Sequence, residues 1–259
     1  MQSNRRFSIQ AIFITVQAVL YVSFMALDLT EKSYHISVTL KYSIILLCFC
    51  YALLCAGKST FYLLQAALFF TAISDLFILI LDYYFFGVLT FILAQELYSL
   101  RLVLIDNRAK IGEAPVRQGR KQGIAYLRRI LLQLTVSFVV CLLLGLAGVK
   151  LEGLLMISIF YFICILTNVI SAFTLVRHQT GNRGNLIYAL GMLLFLLCDI
   201  NVGIFNLSGF ISMSGEAYAV LYAVSSILMW TFYAPAQVLI AISSSYEDGR
   251  KFDISHKNL

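Results

Sequence analysis

Residues 68–79 read Leu68-Phe69-Phe70-Thr71-Ala72-Ile73-Ser74-Asp75-Leu76-Phe77-Ile78-Leu79. Asp75 lies deep inside an apolar run that is long enough to cross a membrane. The arrangement returns in Gly191-Met192-Leu193-Leu194-Phe195-Leu196-Leu197-Cys198-Asp199-Ile200-Asn201. A carboxylate inside a membrane-spanning helix costs about 2.5–3.5 kcal/mol on insertion scales, so such residues usually serve a function. Both stretches predict membrane-spanning helices and mark Asp75 and Asp199 as candidate functional residues.

Composition extends the membrane prediction to the whole chain. Of the 259 residues, 61% are hydrophobic and only 12% are charged, which is about half the charge of a soluble domain. Apolar runs of about 20 residues, enough for a helix to cross a bilayer, recur throughout the chain. A transmembrane β-barrel is excluded because its strands alternate apolar and polar residues. The predicted fold class is therefore all-α, a single polytopic domain over residues 1–259.

Eight spans are predicted, at roughly 9–27, 37–56, 60–81, 84–105, 130–148, 153–175, 186–206 and 217–243. All lysines and arginines except Lys32, Lys41 and Lys150 then fall on one side. Because Lys and Arg accumulate in cytoplasmic loops, both termini are expected in the cytoplasm. The basic stretch 106–129 is expected to be a cytoplasmic linker near anionic headgroups. It contains one aromatic residue, Tyr126, so nucleic acid is not expected as a partner.

The linker divides the chain into two halves of four spans that resemble each other weakly. Asp75 and Asp199 lie in the third and the seventh span. Residues 90–95 of the fourth span, from a threonine to a glutamine, resemble residues 231–237 of the eighth, with one residue of offset. One interpretation is a parallel repeat about an axis along the membrane normal. The other is chance similarity between apolar helices.

Depth along the spans groups the polar residues. At 1.5 Å per residue, Asp75 and Asp199 lie roughly 20–22 Å from the cytoplasmic face. Other polar side chains fall near the middle of spans four, six and eight, namely Gln95, Glu96, Asn168 and Gln237. Polar groups at a common depth favour one buried cavity, although hydrogen bonds between helices would also explain the glutamines. Glu96 is predicted either to face that cavity or to pair with Arg101.

Two carboxylates around one cavity suit general acid–base chemistry. A low dielectric and mutual repulsion disfavour two negative charges, so one acid can stay protonated while its partner acts as a base. Such a pair suits cleavage through an oxocarbenium-like cation. The motifs G-x-S-x-G and H-E-x-x-H are absent, and the six cysteines form no C-x-x-C pair, so neither metal nor cofactor is expected.

Four spaced patterns follow one another along the chain: Phe69-x5-Asp75 with Leu76 and Leu79; Gly87 with Phe91, Ala94 and Tyr98; Gly191-x3-Phe195-x3-Asp199; and Thr231-Phe232-Tyr233-x2-Ala236-Gln237 with Ile240 and Ser243. Together with Lys41, which enters the second span, they resemble the YhhN family of membrane lysoplasmalogenases and their relatives. The resemblance runs from about the second span to the eighth.

This resemblance implies an eight-helix fold that hydrolyses the vinyl-ether bond of lysoplasmalogens. These lysophospholipids would yield a fatty aldehyde and a glycerophospho-ethanolamine or glycerophospho-choline. It implies Asp75 and Asp199 as the acid/base pair, and Lys41 as a contact to the phosphate near the outer surface. The groups that would bind or orient substrate or water are Gln95, Tyr98, Tyr233 and Gln237.

Two departures from the family pattern keep other functions open. Family members usually have a histidine before the tyrosine of the fourth span, where this chain has Gln95 followed by Glu96, and a proline where this chain has Tyr42. Glutamine cannot shuttle a proton as histidine does. The alternatives are a proton-coupled transporter of a lipid-like amphiphile, with Asp75 and Asp199 as the proton relay, and a lipid-binding relative without activity.

Location and assembly are less constrained by the sequence. Short loops without added domains favour a bacterial cytoplasmic (inner) membrane, and the same fold would suit an internal eukaryotic membrane. The expected partners are therefore membrane lipids and a lysophospholipid substrate. Headgroup preference, chain length and oligomeric state stay open.

Overall fold

The computed structural model describes residues 2–55, 61–108, 115–206 and 215–246. They form eight α-helices and one π-helical segment: α1 (Gln2–Leu29), α2 (Tyr34–Leu54), α3 (Phe61–Asp75) with the π-helix Leu76–Ile80, α4 (Tyr84–Arg108), α5 (Pro115–Leu146), α6 (Gly153–His178), α7 (Arg183–Phe205) and α8 (Gly215–Ser243). All eight α-helices contain a segment that is long and apolar enough to cross a membrane. The prediction of an all-α chain with eight spans is confirmed.

The predicted linker 106–129 was wrong over much of its length, because α5 already begins at Pro115. At the other end of that stretch, α4 continues to Arg108, and residues 109–114 lie outside the described residues. A proline suits the first helical position, where its missing N–H has no acceptor within the helix. Gly119 and Gly123 weaken the helix by only about 1 kcal/mol each. The first part of α5 was therefore predicted as a loop because it is basic, contains glycines and is not apolar enough for a membrane span.

Six helices form a closed ring around the centre of the molecule. In order these are α2, α3, α4, α6, α7 and α8, each packed against the next, with α8 packed against α2. Outside this ring, α1 packs against α2 and α8, and α5 packs against α6 and α4. Exchanging α1–α4 with α5–α8 leaves this set of contacts unchanged. The contacts are thus those of two four-helix units around an axis along the bundle, as the repeat interpretation predicted.

The two outer helices are attached in a similar way. They bury the smallest shares of their spans, 17% for α1 and 11% for α5. Each carries one buried glutamine that reaches the ring: Gln17 Nε2 donates to the main-chain oxygen of Ile44, 3.1 Å away, and Gln133 Nε2 donates to Thr167 Oγ1, 2.8 Å away. Because a polar group buried in an apolar environment needs a hydrogen-bond partner, these two contacts contribute to fixing where each outer helix docks.

Within the second unit, α7 and α8 approach closely at Gly191. A Cβ atom at this position would lie 3.0 Å from the main-chain nitrogen of Ile240 and 3.1 Å from the main-chain oxygen of Ala236. These are backbone atoms, so a larger residue would push the helices apart. The absence of a side chain at Gly191 lets α8 lie against the helix that carries Asp199.

Candidate active site

Asp75 is the last residue of α3, immediately before the π-helix Leu76–Ile80. π-Helical turns are rare and frequently occur at functional sites. The Asp75 side chain is only 4% exposed, and its Oδ2 accepts a hydrogen bond from the Tyr233 hydroxyl at 2.6 Å. Because Tyr233 lies on α8, a residue of the second four-helix unit positions the aspartate of the first.

Asp199 has a similar partner. Its side chain is half-buried on α7, and its Oδ2 accepts a hydrogen bond from the Tyr161 hydroxyl of α6 at 2.8 Å. The rings of both tyrosines pack against Phe91, which places the two aspartates around the same part of the bundle. The structure thus brings together the two carboxylates that the sequence analysis selected. Each is oriented by a tyrosine whose hydroxyl bonds most strongly to an ionised carboxylate.

Aromatic rings surround the two tyrosines. The Tyr233 ring lies 5.3 Å from Phe195, 5.5 Å from Trp230 and 6.5 Å from Phe91, measured between ring centroids. Phe91 also lies 5.6 Å from Tyr161, so it contacts both aspartate-binding tyrosines. Tilted and edge-to-face arrangements of this kind favour fixed ring orientations. The rings hold both hydroxyls in place within an apolar surrounding.

Lys41 lies beside this aromatic cluster and is only 8% exposed. Its Nζ is 2.7 Å from Oδ2 of Asp28 on α1 and 4.6 Å from the ring centroid of Trp230. The Ser37 hydroxyl donates to the other oxygen of Asp28. The ammonium group predicted to meet a phosphate is therefore already held by a carboxylate and an aromatic face, which together satisfy much of its charge.

A second cluster of polar side chains lies where α4, α5 and α6 meet. Asn168 Nδ2 donates to both the main-chain oxygen and Oε1 of Gln95, each at 2.8 Å. Asn168 Oδ1 in turn accepts a hydrogen bond from Arg129 Nη2 at 2.7 Å. Next to Gln95, Glu96 accepts a hydrogen bond from the Tyr126 hydroxyl at 2.9 Å. Glu96 therefore faces α5, which was neither of its predicted directions.

Gln237 and Tyr98, the remaining predicted site residues, are both fully buried. Gln237 lies on α8 one turn beyond Tyr233, and neither its Oε1 nor its Nε2 has a hydrogen-bond partner. The Tyr98 ring lies 6.1 Å from that of Tyr188. Since Tyr98 follows Phe91 by seven residues, it is about 10 Å farther along α4. Tyr98 thus lies about two turns from the residue that contacts both aspartate-binding tyrosines, whereas Gln237 lies one turn from Tyr233.

A family model described as the YhhN family matches residues 36–244, which is more than half of the chain and extends from α2 to the end of α8. The chain belongs to the YhhN family. No curated protein and no solved structure matches it. The matched region of this YhhN protein contains both aspartates and both of their tyrosine partners. Asp28, the partner of Lys41, precedes that region.

Three contacting residues of the YhhN protein were missed by the sequence analysis: Asp28, Arg129 and Tyr161. Tyr161 gave no signal, because it stands between Phe160 and Phe162 and reads as one more apolar residue. Asp28 could have been found, since it ends the first span on the same side of the membrane as Lys41. Arg129 was assigned to the linker and therefore was not considered as a buried residue.

Two further features of the YhhN protein lie outside the aspartate site. Among the residues that the structure describes, no group of three His, Cys, Asp or Glu side chains could hold a metal ion. An apolar groove of about 550 Å³ lies between α5 and α6, with Phe138, Leu142, Met156 and Phe160 among its lining residues. None of the residues that line this groove belongs to the polar site.

Proposed function

We propose that this YhhN protein hydrolyses the vinyl-ether bond of a lysoplasmalogen, releasing a fatty aldehyde and a glycerophospho-ethanolamine or glycerophospho-choline. The observation that carries the proposal is the pair of carboxylates in an apolar bundle, each bound to the hydroxyl of a tyrosine whose ring contacts Phe91. Family membership supports the choice of substrate class. Intramembrane carboxylates are costly, so two at one centre indicate a shared chemical role.

The first step uses one aspartate as a general acid. In its protonated form it transfers the proton to the carbon β to the ether oxygen, and the electron pair of the C=C bond forms the new C–H bond. The positive charge left on the α carbon is shared with oxygen as an oxocarbenium ion. General acid catalysis of this kind contributes typically 10²–10⁴-fold to a rate. The acid becomes a carboxylate that faces the cation.

Water then attacks the cationic carbon while the second aspartate removes a proton from that water. The product is a hemiacetal, and the second aspartate is now protonated. In the last step it returns this proton to the departing glycerol oxygen, and the first carboxylate takes the proton of the hemiacetal hydroxyl. The C–O bond breaks, the aldehyde forms, and both aspartates recover their starting protonation states. No cofactor is required for this balance.

Tyr233 and Tyr161 have positioning roles in this mechanism. Each donates one hydrogen bond to a carboxylate oxygen, which leaves the other oxygen of that carboxylate to face the substrate. The same hydrogen bonds favour the ionised state that each aspartate must reach during the cycle. The phenol rings are in turn held by Phe91, so the geometry is fixed before the substrate binds.

Aldehyde release by the purified protein tests the proposal. We expect release from lysoplasmenylethanolamine, which has the vinyl ether, and none from the ester-linked lysolipid of the same headgroup. The ester lacks the C=C–O unit that forms the oxocarbenium ion. Absence of release from both lipids, with protein shown to be folded, would contradict the proposal and would favour the transporter or the non-catalytic lipid binder.

A further inference from the structure

Gln95 and Gln237 lie at one level of the central ring, on helices that face each other. Gln95 follows Phe91 by one turn on α4, and Gln237 follows Tyr233 by one turn on α8. Residues four apart share a helix face, and the rings of Phe91 and Tyr233 lie 6.5 Å apart. Both helices end their four-helix unit and run in the same direction. From this spacing we expect both amides on the inner side of the ring, about 6 Å beyond the level of Tyr233.

Three polar atoms of these two side chains have no hydrogen-bond partner: Gln95 Nε2, Gln237 Nε2 and Gln237 Oε1. Both residues are fully buried. An unsatisfied buried polar group costs about 1–3 kcal/mol. A protein that keeps three such atoms at one level of its core is therefore expected to bind something polar there.

The orientation of Gln95 is fixed by its neighbours. Its Oε1 accepts from Asn168, and Asn168 accepts from Arg129. The guanidinium can only donate, so the Oδ1 of Asn168 must face Arg129 and its Nδ2 must face Gln95. The Gln95 Nε2 donor is consequently the atom left for a ligand. Three residues from α4, α5 and α6 thus fix the position of one buried N–H donor that has no partner.

We propose that Gln95 and Gln237 form a buried binding site for a neutral hydroxyl oxygen. Two donors and one acceptor match a hydroxyl, which both accepts and donates hydrogen bonds. An anion would meet the carbonyl oxygen of Gln237, and a cation would meet two N–H groups, so neither suits the site. The hydroxyl belongs either to the glycerol of the substrate or to a water molecule.

The position of the site relative to the aspartates supports the substrate hydroxyl, a step that rests on the proposed function. In a lysoplasmalogen the free hydroxyl oxygen is five bonds from the vinyl-ether carbon that is protonated, so in an extended conformation these two atoms are separated by a distance comparable to one helical turn. With the vinyl ether at Asp75 and Asp199, this hydroxyl reaches the level of the glutamines. The site would then select lipids that have a free hydroxyl beside the ether.

Binding of an uncleavable lysolipid separates this inference from the hydrolysis itself. The probes are a saturated alkyl-ether lysolipid with the glycerol hydroxyl and its 2-deoxy analogue. For the unmodified protein we expect about tenfold weaker binding of the deoxy lipid, since one hydrogen bond is lost and the amides stay unpaired. In Gln237→Leu both lipids should bind alike. Gln237→Met, which keeps the side-chain length, repeats the measurement if the leucine variant does not fold.

Gln65→Leu is the matched control. Gln65 is also buried, and its Nε2 donates to the main-chain oxygen of Ala52 at 2.9 Å, so this variant loses a helix contact and should keep the tenfold discrimination. If water occupies the site, the unmodified protein binds the two alkyl-ether lipids equally well. Gln237→Leu then slows the cleavage of vinyl-ether lysolipids, and it does so to the same extent whether or not they have the glycerol hydroxyl. Equal binding with unchanged cleavage would overturn the proposal. If the protein releases no aldehyde, equal binding alone overturns it.

Discussion

Asp75→Asn is expected to reduce aldehyde release by at least about 100-fold, the lower end of what a general acid or base contributes. Asparagine has nearly the same shape, and its carbonyl oxygen still accepts from Tyr233, so the bundle should stay folded. It can neither donate nor accept the proton that the cycle requires. The same loss is expected for Asp199→Asn, because in the proposed cycle each aspartate acts once as an acid and once as a base. The measurement is kcat with purified variants.

Asp82→Asn is the control for these two variants. Asp82 is exposed and lies in the turn before α4 with a positive φ of 55°, a conformation that asparagine adopts readily. This variant removes a carboxylate seven residues after Asp75 and outside the proposed site, so it should keep full activity. Retained activity in Asp75→Asn or Asp199→Asn would remove that residue from the mechanism. Retained activity in both would contradict acid–base catalysis by the pair.

Asp28→Asn is expected to lower the free energy of unfolding by about 2 kcal/mol. Removing one partner of a buried ion pair costs about 3–5 kcal/mol. The effect should be smaller here because the Asp28 side chain is 29% exposed. The ammonium of Lys41 would remain buried beside the rings of Trp230 and Phe24, with no negative charge as a partner. Thermal unfolding of the detergent-purified protein measures the loss.

The double variant Lys41→Met/Asp28→Asn separates a structural role of Lys41 from phosphate binding. Removing both charges leaves no unpaired ion, so stability should return close to that of the unmodified protein. We expect its KM for the lysolipid to be unchanged, because Lys41 is already engaged by Asp28. A tenfold rise in KM at restored stability would instead assign Lys41 to the phosphate.

Much of the fold was predictable because it depends on properties that are local in the sequence. Apolar runs of the length of a bilayer give the number of spans, and Asp75 and Asp199 stand out because carboxylates are costly there. The helical extension of α5 from Pro115 was not predictable in this way. Its residues are too polar for a span, and helix formation outside the apolar region leaves no hydropathy signal.

The partners within the site were harder to predict than the aspartates themselves. Tyr233 and Tyr161 contact Asp75 and Asp199 across 158 and 38 residues of sequence, and such pairs follow from how helices pack in the ring. Apolar helices carry little rotational information, since they are hydrophobic on every side. The depth of a polar residue could therefore be read from its position, whereas the face it presents could not.

The most direct test of the mechanism is the deuterium content of the aldehyde released in D₂O. Proton transfer from an exchanged aspartate to the vinyl-ether carbon predicts one deuterium on the carbon next to the carbonyl group. Unlabelled aldehyde incubated with the protein for the same time corrects for exchange. Aldehyde that carries no deuterium above this correction would contradict protonation of the carbon by an aspartate, and with it the central claim.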